Sequence, residues 1–108
     1  MDNANYTDCV EMGSNEYPYI LYTSGTTGEP KGVCIGHSQL NQYCYSSSKA
    51  LSLNENKHFA MTSTIAADLG YTCLFNALYN GASLHIATDE QVNDSEKFQL
   101  FLEQNDID

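Results

Sequence analysis

The amino-acid sequence predicts an α/β fold built on a parallel sheet. Short apolar runs typical of strands alternate along the chain with longer segments in which apolar residues recur every three or four positions. Strands that alternate with helices usually pair in parallel, because each helix carries the chain back to the starting end of the sheet. The 108 residues are 42% hydrophobic and 11% aromatic, which argues against disorder.

The elements are expected in a regular order after a polar, acidic lead-in at residues 1–16. A strand over 17–23 leads into a glycine-rich loop, and Val33-Cys-Ile35 suits a second strand, so that the loop could close a hairpin. The remaining predictions are helices at 37–51, 68–79 and 95–104, strands at 58–63 and 82–87, and turns at 53–57 and 89–93.

Each predicted helix has an apolar stripe and a start or stop signal. Ser38 is a candidate N-cap for the first helix, and Asp94 is one for the third. The second helix ends at Asn80-Gly81, a common C-terminal stop. Its stripe follows i, i+3, i+4 and i+7 and consists of Tyr71, Leu74, Phe75 and Leu78.

The composition excludes several classes of function. With four lysines, no arginine and fourteen acids, the net charge is −10, so a basic nucleic-acid footprint is absent. No apolar run reaches the length of a membrane span, and the N-terminus lacks a signal peptide. The four cysteines show no C-x-x-C spacing, so we expect free thiols, no metal site and a cytoplasmic protein.

The loop before Val33 has the composition of an anion-binding loop. Glycines permit close approach of the backbone, successive N–H groups can bind an anion, hydroxyl groups add donors, and Lys31 adds a cation. It is not a P-loop, because the second glycine and the hydroxyl after the lysine are missing. It also lacks the G-x-G-x-x-G pattern of dinucleotide sites. An ordinary hairpin turn is the alternative.

Asp68 is the only formal charge between His58 and Thr88. At the start of a predicted helix, it could cap that helix. It could equally be a partly buried anion that pairs with a cationic group of a ligand, since a buried carboxylate is costly unless it is paired. The residues alone leave both roles open.

The full string Tyr22-Thr-Ser-Gly-Thr-Thr-Gly-Glu-Pro-Lys-Gly32 resembles the phosphate loop of the adenylate-forming superfamily. The resemblance implies that this loop holds the β- and γ-phosphates of ATP while a carboxylate attacks the α-phosphate. Lys31 would offset charge on the departing pyrophosphate. Hydrogen bonds to phosphate would come from Thr23, Ser24, Thr26 and Thr27, and the close turn would need Gly25, Gly28 and Gly32.

The region of Asp68 resembles the substrate segment of amino-acid adenylation domains in nonribosomal peptide synthetases. The chain has Ala67-Asp-Leu-Gly70 where that family has F-D-x-S, and the register is fixed by a following G-x-x-L strand, here Gly81-Ala-Ser-Leu84. The resemblance implies that Asp68 binds the α-ammonium group of the amino acid. It also implies that Leu69 and Thr72 line the side-chain pocket.

The resemblance therefore implies that residues 17–108 are part of an adenylation domain. Such a domain converts an amino acid and ATP into aminoacyl-AMP, and the aminoacyl group is transferred to a phosphopantetheine thiol on a carrier domain. The Mg²⁺ ligands and the lysine of the mobile C-terminal domain lie downstream in the family, so no catalytic residue is assigned and the isolated chain is expected to be inactive. Alternatives are an acyl- or aryl-CoA ligase fragment and an inactive, truncated nucleotide-binding fragment.

Overall fold

A computed structural model describes Gly13, residues 16–64 and residues 68–108. For Asp68 it describes the backbone alone. Most of the predicted lead-in at residues 1–16 lies outside the described residues. The chain divides into two compact units, Met1–Leu40 and Asn41–Asp108.

The first unit contains an antiparallel hairpin. Strand β1, Tyr19–Ser24, pairs with strand β2, Pro30–Ile35, in a register that runs from Tyr19 opposite Ile35 to Ser24 opposite Pro30. Pro30 is accommodated because it is the first residue of its strand. The hairpin predicted around the glycine loop is therefore confirmed, and β2 begins three residues earlier than the sequence indicated.

Helix α1 spans His37–Leu51, as predicted, but the predicted N-cap is wrong. The first helical hydrogen bond runs from Leu40 N to Gly36 O at 3.1 Å, so Gly36 precedes the helix and Ser38 lies inside the first turn. The Ser38 hydroxyl group donates to Gln39 Oε1 at 3.1 Å and caps no backbone N–H group.

The second unit is built on a β-α-β arrangement. Strand β3, His58–Met61, and strand β4, Ser83–Ile86, pair in parallel, and helix α2, Asp68–Tyr79, connects them and packs against both. This confirms the α/β class and the parallel sheet. Among the described residues, two of the four predicted strands form this parallel sheet, because β1 and β2 pair with each other in a separate sheet.

Helix α2 ends where Asn80-Gly81 predicts. Gly81 N donates to Leu78 O at 3.2 Å and Ala82 N to Ala77 O at 2.9 Å, which is the hydrogen-bond pattern of a Schellman motif. The predicted turn at 53–57 contains a 3₁₀ helix at Leu53–Glu55.

The predicted turn at 89–93 is wrong, because these residues form a short helix, α3, Asp89–Asn93. Thr88 and Gln91 make a capping box: the Thr88 hydroxyl accepts from Gln91 N, and Gln91 Oε1 accepts from Thr88 N. Helix α4, Ser95–Gln104, has the predicted cap, since Asp94 Oδ1 accepts from the backbone N–H groups of Glu96 and Lys97.

The buried face of α2 differs from the predicted stripe. Ala77 and Asn76 are buried, whereas Leu78 is 67% exposed. Tyr71 and Phe75 stack with ring centroids 5.7 Å apart. In α4, Phe101 is buried and stacks with Phe98, so these two rings form part of its packing face. In the described part of the chain, no helix is long and apolar enough to cross a membrane.

Candidate functional site

The glycine-rich loop forms the tip of the β1–β2 hairpin. Residues 25–29 connect the strands, and Gly28 N donates to Gly25 O at 3.1 Å to close a turn. Gly28 has φ of +81°, a conformation that a residue with a side chain adopts only at a cost. The glycine at this position is therefore required by the shape of the loop.

Lys31 lies beside this turn. A Cβ atom added at Gly25 would be 3.0 Å from Glu29 O and 3.3 Å from Lys31 Cε, so the lysine side chain passes close over the Gly25 backbone. Lys31 is opposite Thr23 in the hairpin register, and directly opposite residues share one face of a sheet. The ammonium group and the Thr23 hydroxyl are thus held on one side of the hairpin, next to the loop.

The structure brings all eight predicted phosphate-loop residues together at the hairpin tip. Gly25 is half-buried and the other seven are exposed: Thr23, Ser24, Thr26, Thr27, Gly28, Lys31 and Gly32. Among the residues that the structure describes, no carboxylate forms an ion pair with Lys31. The tip therefore presents hydroxyl donors and one cation to solvent, an arrangement that can bind an anion.

The predicted substrate residues occupy the first turns of α2. Asp68 is the first residue of the helix, but its carboxylate lies outside the described atoms. Leu69 is 78% exposed and Thr72 is also exposed. Residues three and four apart are neighbours on a helix surface, so Thr72 adjoins both Asp68 and Leu69.

Gly70 allows the segment that follows β3 to lie close to the first turn of α2. A Cβ atom at Gly70 would be 2.9 Å from Thr64 O, which is closer than a side chain tolerates, and 3.4 Å from Ser63 Oγ. Residues 63 and 64 therefore pack directly on the first turn of α2. Sequence reasoning did not single out this residue, although a glycine inside a predicted helix was a usable signal.

A set of side-chain hydrogen bonds joins α1 to α2; we call it the polar ladder. Tyr43 Oη lies 3.0 Å from Thr72 Oγ1, Ser47 Oγ donates to Asn76 Oδ1 at 2.8 Å, and Ser48 Oγ donates to Asn80 Oδ1 at 2.6 Å. The ladder is not among the features predicted from the sequence. The sequence does carry a signal for it: Thr72, Asn76 and Asn80 are spaced four residues apart and so lie on one face of α2, and α1 contains several serines that can reach them.

A second polar cluster lies at the start of β3. His58 Nδ1 and His85 Nε2 are 3.0 Å apart and share a hydrogen bond. The Asp108 carboxylate accepts from Lys57 N at 3.0 Å and from His58 N at 2.9 Å. Hydrogen bonds from these N–H groups hold the pKa of Asp108 below its ordinary value of 3.8, and the bond from His58 has the larger effect.

Comparison with known proteins identifies related sequences over almost the whole chain. The family model described as AMP-binding enzyme matches residues 3–107. Bacitracin synthase 3 of Bacillus licheniformis is 38% identical over 94 residues, which cover 87% of this chain and 2% of that protein. Surfactin synthase subunit 2 of Bacillus subtilis is 39% identical over 95 residues, which cover 88% of this chain and 3% of that protein.

A solved structure has a similar fold. The crystal structure of the Vibrio cholerae adenylation domain AlmE, in complex with glycyl-adenosine-5'-phosphate, matches with a TM-score of 0.70 and 30% sequence identity. The match covers 80% of this chain and 16% of that one. The chain thus spans a small part of the length of each of these relatives.

Proposed function

Because the chain belongs to the AMP-binding enzyme family, we propose that it is part of an adenylation domain that activates an amino acid. A carboxylate oxygen of the amino acid attacks the α-phosphorus of ATP, and the bond from that phosphorus to the bridging oxygen of the β-phosphate breaks. The products are aminoacyl-AMP and pyrophosphate. The observation that carries the proposal is the exposed hairpin tip, with its hydroxyl groups and Lys31.

The hairpin tip is assigned to the β- and γ-phosphates of ATP. Thr23, Ser24, Thr26 and Thr27 donate hydrogen bonds from hydroxyl or amide groups, and Lys31 offsets the charge that develops on the departing pyrophosphate. The exposure of these side chains and the closeness of Lys31 to the Gly25 backbone support this assignment. The close turn depends on Gly25, Gly28 and Gly32. Mg²⁺ would be bound by residues outside this chain.

The first turns of α2 are assigned to the amino acid. Asp68 pairs with its α-ammonium group, while Leu69 and Thr72 form one wall of the pocket for its side chain. Leu69 supports this assignment because it is a large apolar residue that is 78% exposed at the start of the helix, next to Thr72. A carboxylate there discriminates between amino acids and plain carboxylic acids, since a substrate without a cation leaves it unpaired.

The activated aminoacyl group is then passed to a carrier domain. The thiol of its phosphopantetheine arm attacks the acyl carbon, forms a thioester and displaces AMP. Support comes from the relatives, which are bacitracin and surfactin synthases, and from the AlmE structure, whose ligand is glycyl-adenosine-5'-phosphate. Residues 17–108 supply the phosphate loop and the substrate segment of such a domain.

Replacement of Asp68 tests the assignment to an amino-acid substrate. In the full-length polypeptide that contains these residues, Asp68→Asn keeps the shape of the side chain and removes its charge. We expect amino-acid-dependent exchange of pyrophosphate into ATP to fall by about 10²-fold or more, as for loss of a buried charge pair. Activation of the matching acid that lacks the ammonium group should be largely retained.

The matched control is Asp89→Asn. Asp89 is the first residue of α3, as Asp68 is of α2, so this variant measures the loss of a charge at a helix start without a ligand role. Equal, small effects of the two variants would assign Asp68 to capping. Better activation of the plain acid than of the amino acid by the wild type would favour an acyl- or aryl-CoA ligase.

A further inference from the structure

The Tyr43–Thr72 contact is the part of the polar ladder nearest the start of α2. Tyr43 Oη and Thr72 Oγ1 are 3.0 Å apart, and either oxygen can donate. Both side chains are exposed; the Tyr43 ring is 45% accessible to solvent. The other two contacts of the ladder are partly buried. The contact that involves a proposed pocket residue is therefore the one open to a ligand.

The buried contacts hold the two helices together without help from Tyr43. Asn76 is 1% exposed, accepts from Ser47 Oγ, and donates through Nδ2 to Thr72 O at 2.9 Å. Ser48 is 8% exposed and donates to Asn80 at 2.6 Å. A neutral hydrogen bond between exposed groups adds little stability. The main effect of the Tyr43–Thr72 hydrogen bond is therefore to orient the Thr72 side chain.

Threonine in a helix has two accessible χ1 rotamers, because its hydroxyl group can also bond to a backbone carbonyl of the preceding turn. The bond to Tyr43 selects one of them. A hydroxyl group can make more than one hydrogen bond, so the effect of Tyr43 is directional: it holds Oγ1 toward α1 and turns the methyl group of Thr72 to a different side. The neighbouring Leu69 side chain is apolar and exposed, so both residues then offer apolar surface.

We propose that Tyr43 is a positioning residue that directs the Thr72 hydroxyl group toward α1 and thereby makes this wall of the pocket select an apolar amino-acid side chain. The proposal rests on the proposed function, since it requires Thr72 to face the substrate. Without the Tyr43 hydroxyl, the Thr72 side chain can change rotamer and turn its hydroxyl group toward a polar substrate side chain. Tyr43 thus acts on specificity through Thr72 and does not itself enter the reaction.

The test uses pairs of amino acids that differ by a hydroxyl group or its isosteric replacement: valine and threonine, alanine and serine, phenylalanine and tyrosine. In the full-length polypeptide, kcat/KM for pyrophosphate exchange is measured for all twenty amino acids and for each pair. We expect wild type to prefer an apolar amino acid. In Tyr43→Phe, the apolar-to-hydroxylated ratio should fall by about three- to tenfold, the range for one neutral hydrogen bond.

Three comparisons separate positioning from a structural role. Tyr43→Phe should leave the melting temperature within error while it changes the ratio. In a Thr72→Val background, Tyr43→Phe should cause no further change in the ratio, because the hydroxyl it controls is gone. Tyr45→Phe, at an exposed tyrosine of α1 outside the polar ladder, should leave the ratio as in wild type.

The outcomes distinguish this proposal from the proposed function. If no amino acid supports exchange, the proposed function fails. If amino acids support exchange but wild type prefers a polar or charged one, or if the ratio is unchanged in Tyr43→Phe, the role of Tyr43 is overturned and the adenylation activity stands. A change in the ratio that persists in the Thr72→Val background also overturns it.

Discussion

The Asp108 carboxylate stabilises the start of β3 through the backbone. It accepts hydrogen bonds from the N–H groups of Lys57 and His58, and Asp108 N donates to His58 O at 3.2 Å. Donors at the edge of a sheet are otherwise left to solvent. The ionised carboxylate is the better acceptor, and this is the cause of its lowered pKa.

The lowered pKa of Asp108 predicts an acid-dependent loss of stability. A carboxyl group with a lower pKa in the folded state adds stability that is fully present above its ordinary value of 3.8 and is lost as pH falls through its folded pKa. Asp108→Asn should reduce the acid sensitivity of the free energy of unfolding below about pH 4. Denaturant unfolding followed by circular dichroism between pH 2 and 7 measures this.

Asp106→Asn is the control for this measurement. Asp106 is exposed and has φ of +50°, a conformation that asparagine also tolerates, so the substitution changes charge without straining the backbone. It removes the same charge without removing a hydrogen-bond acceptor from the backbone of β3, so the difference between the two variants measures the contribution of the Asp108 hydrogen bonds. An unchanged acid dependence in Asp108→Asn would contradict the role assigned to that carboxylate.

At the scale of elements, the polar ladder explains two of the three consecutive serines of α1. Serine is a weak helix former, so Ser46, Ser47 and Ser48 argue against a helix from propensity alone. In the structure, Ser47 and Ser48 each bond to an asparagine of α2, whereas the exposed Ser46 accepts only from Gln42 of its own helix. Contacts between helices thus outweigh local propensity.

The contrast between Ser48 and Ser46 is a direct test of the ladder. Ser48→Ala should lower the free energy of unfolding by about 1–2 kcal/mol, because it leaves Asn80 Oδ1 without its donor in a partly buried position. Ser46→Ala should change it by less than about 0.5 kcal/mol, as is usual for exposed sites. Thermal and denaturant unfolding of the two variants provides the measurement. Equal changes in the free energy of unfolding in the two variants would show that helix propensity, and not the ladder, determines the contribution of these serines.

The sequence could predict elements wherever local signals are strong. Helices α2 and α4 begin and end at the predicted residues, because Asp94 caps one and Asn80-Gly81 ends the other. The short helix α3 was missed because its capping box, Thr88 with Gln91, was not recognised within a polar segment. The buried face of α2 was also missed, because Asn76 is buried by hydrogen bonds and not by apolar character.

At the scale of the whole molecule, the parallel sheet has two strands because the glycine loop is a hairpin. Five residues connect β1 to β2, a length that suits antiparallel pairing, whereas β3 and β4 are joined through a helix and pair in parallel. The hairpin at the glycine loop could be predicted because its residues are contiguous in sequence. Tyr43 could not, because it meets Thr72 across 29 positions that carry no local signal of the contact.

We propose that the hairpin tip binds the pyrophosphate part of ATP while an amino acid is activated. The most direct measurement is amino-acid-dependent exchange of pyrophosphate into ATP by the full-length polypeptide, with Lys31→Ala compared with Lys49→Ala. Lys49 is an exposed lysine of α1 that contacts the Tyr45 ring and has no assigned role in the site.

We predict exchange that requires an amino acid, falls by about 10²-fold in Lys31→Ala and is unchanged in Lys49→Ala, as expected when a charge-stabilising group is removed. Exchange that proceeds equally without an amino acid, or that survives in Lys31→Ala at the level of Lys49→Ala, would contradict the claim.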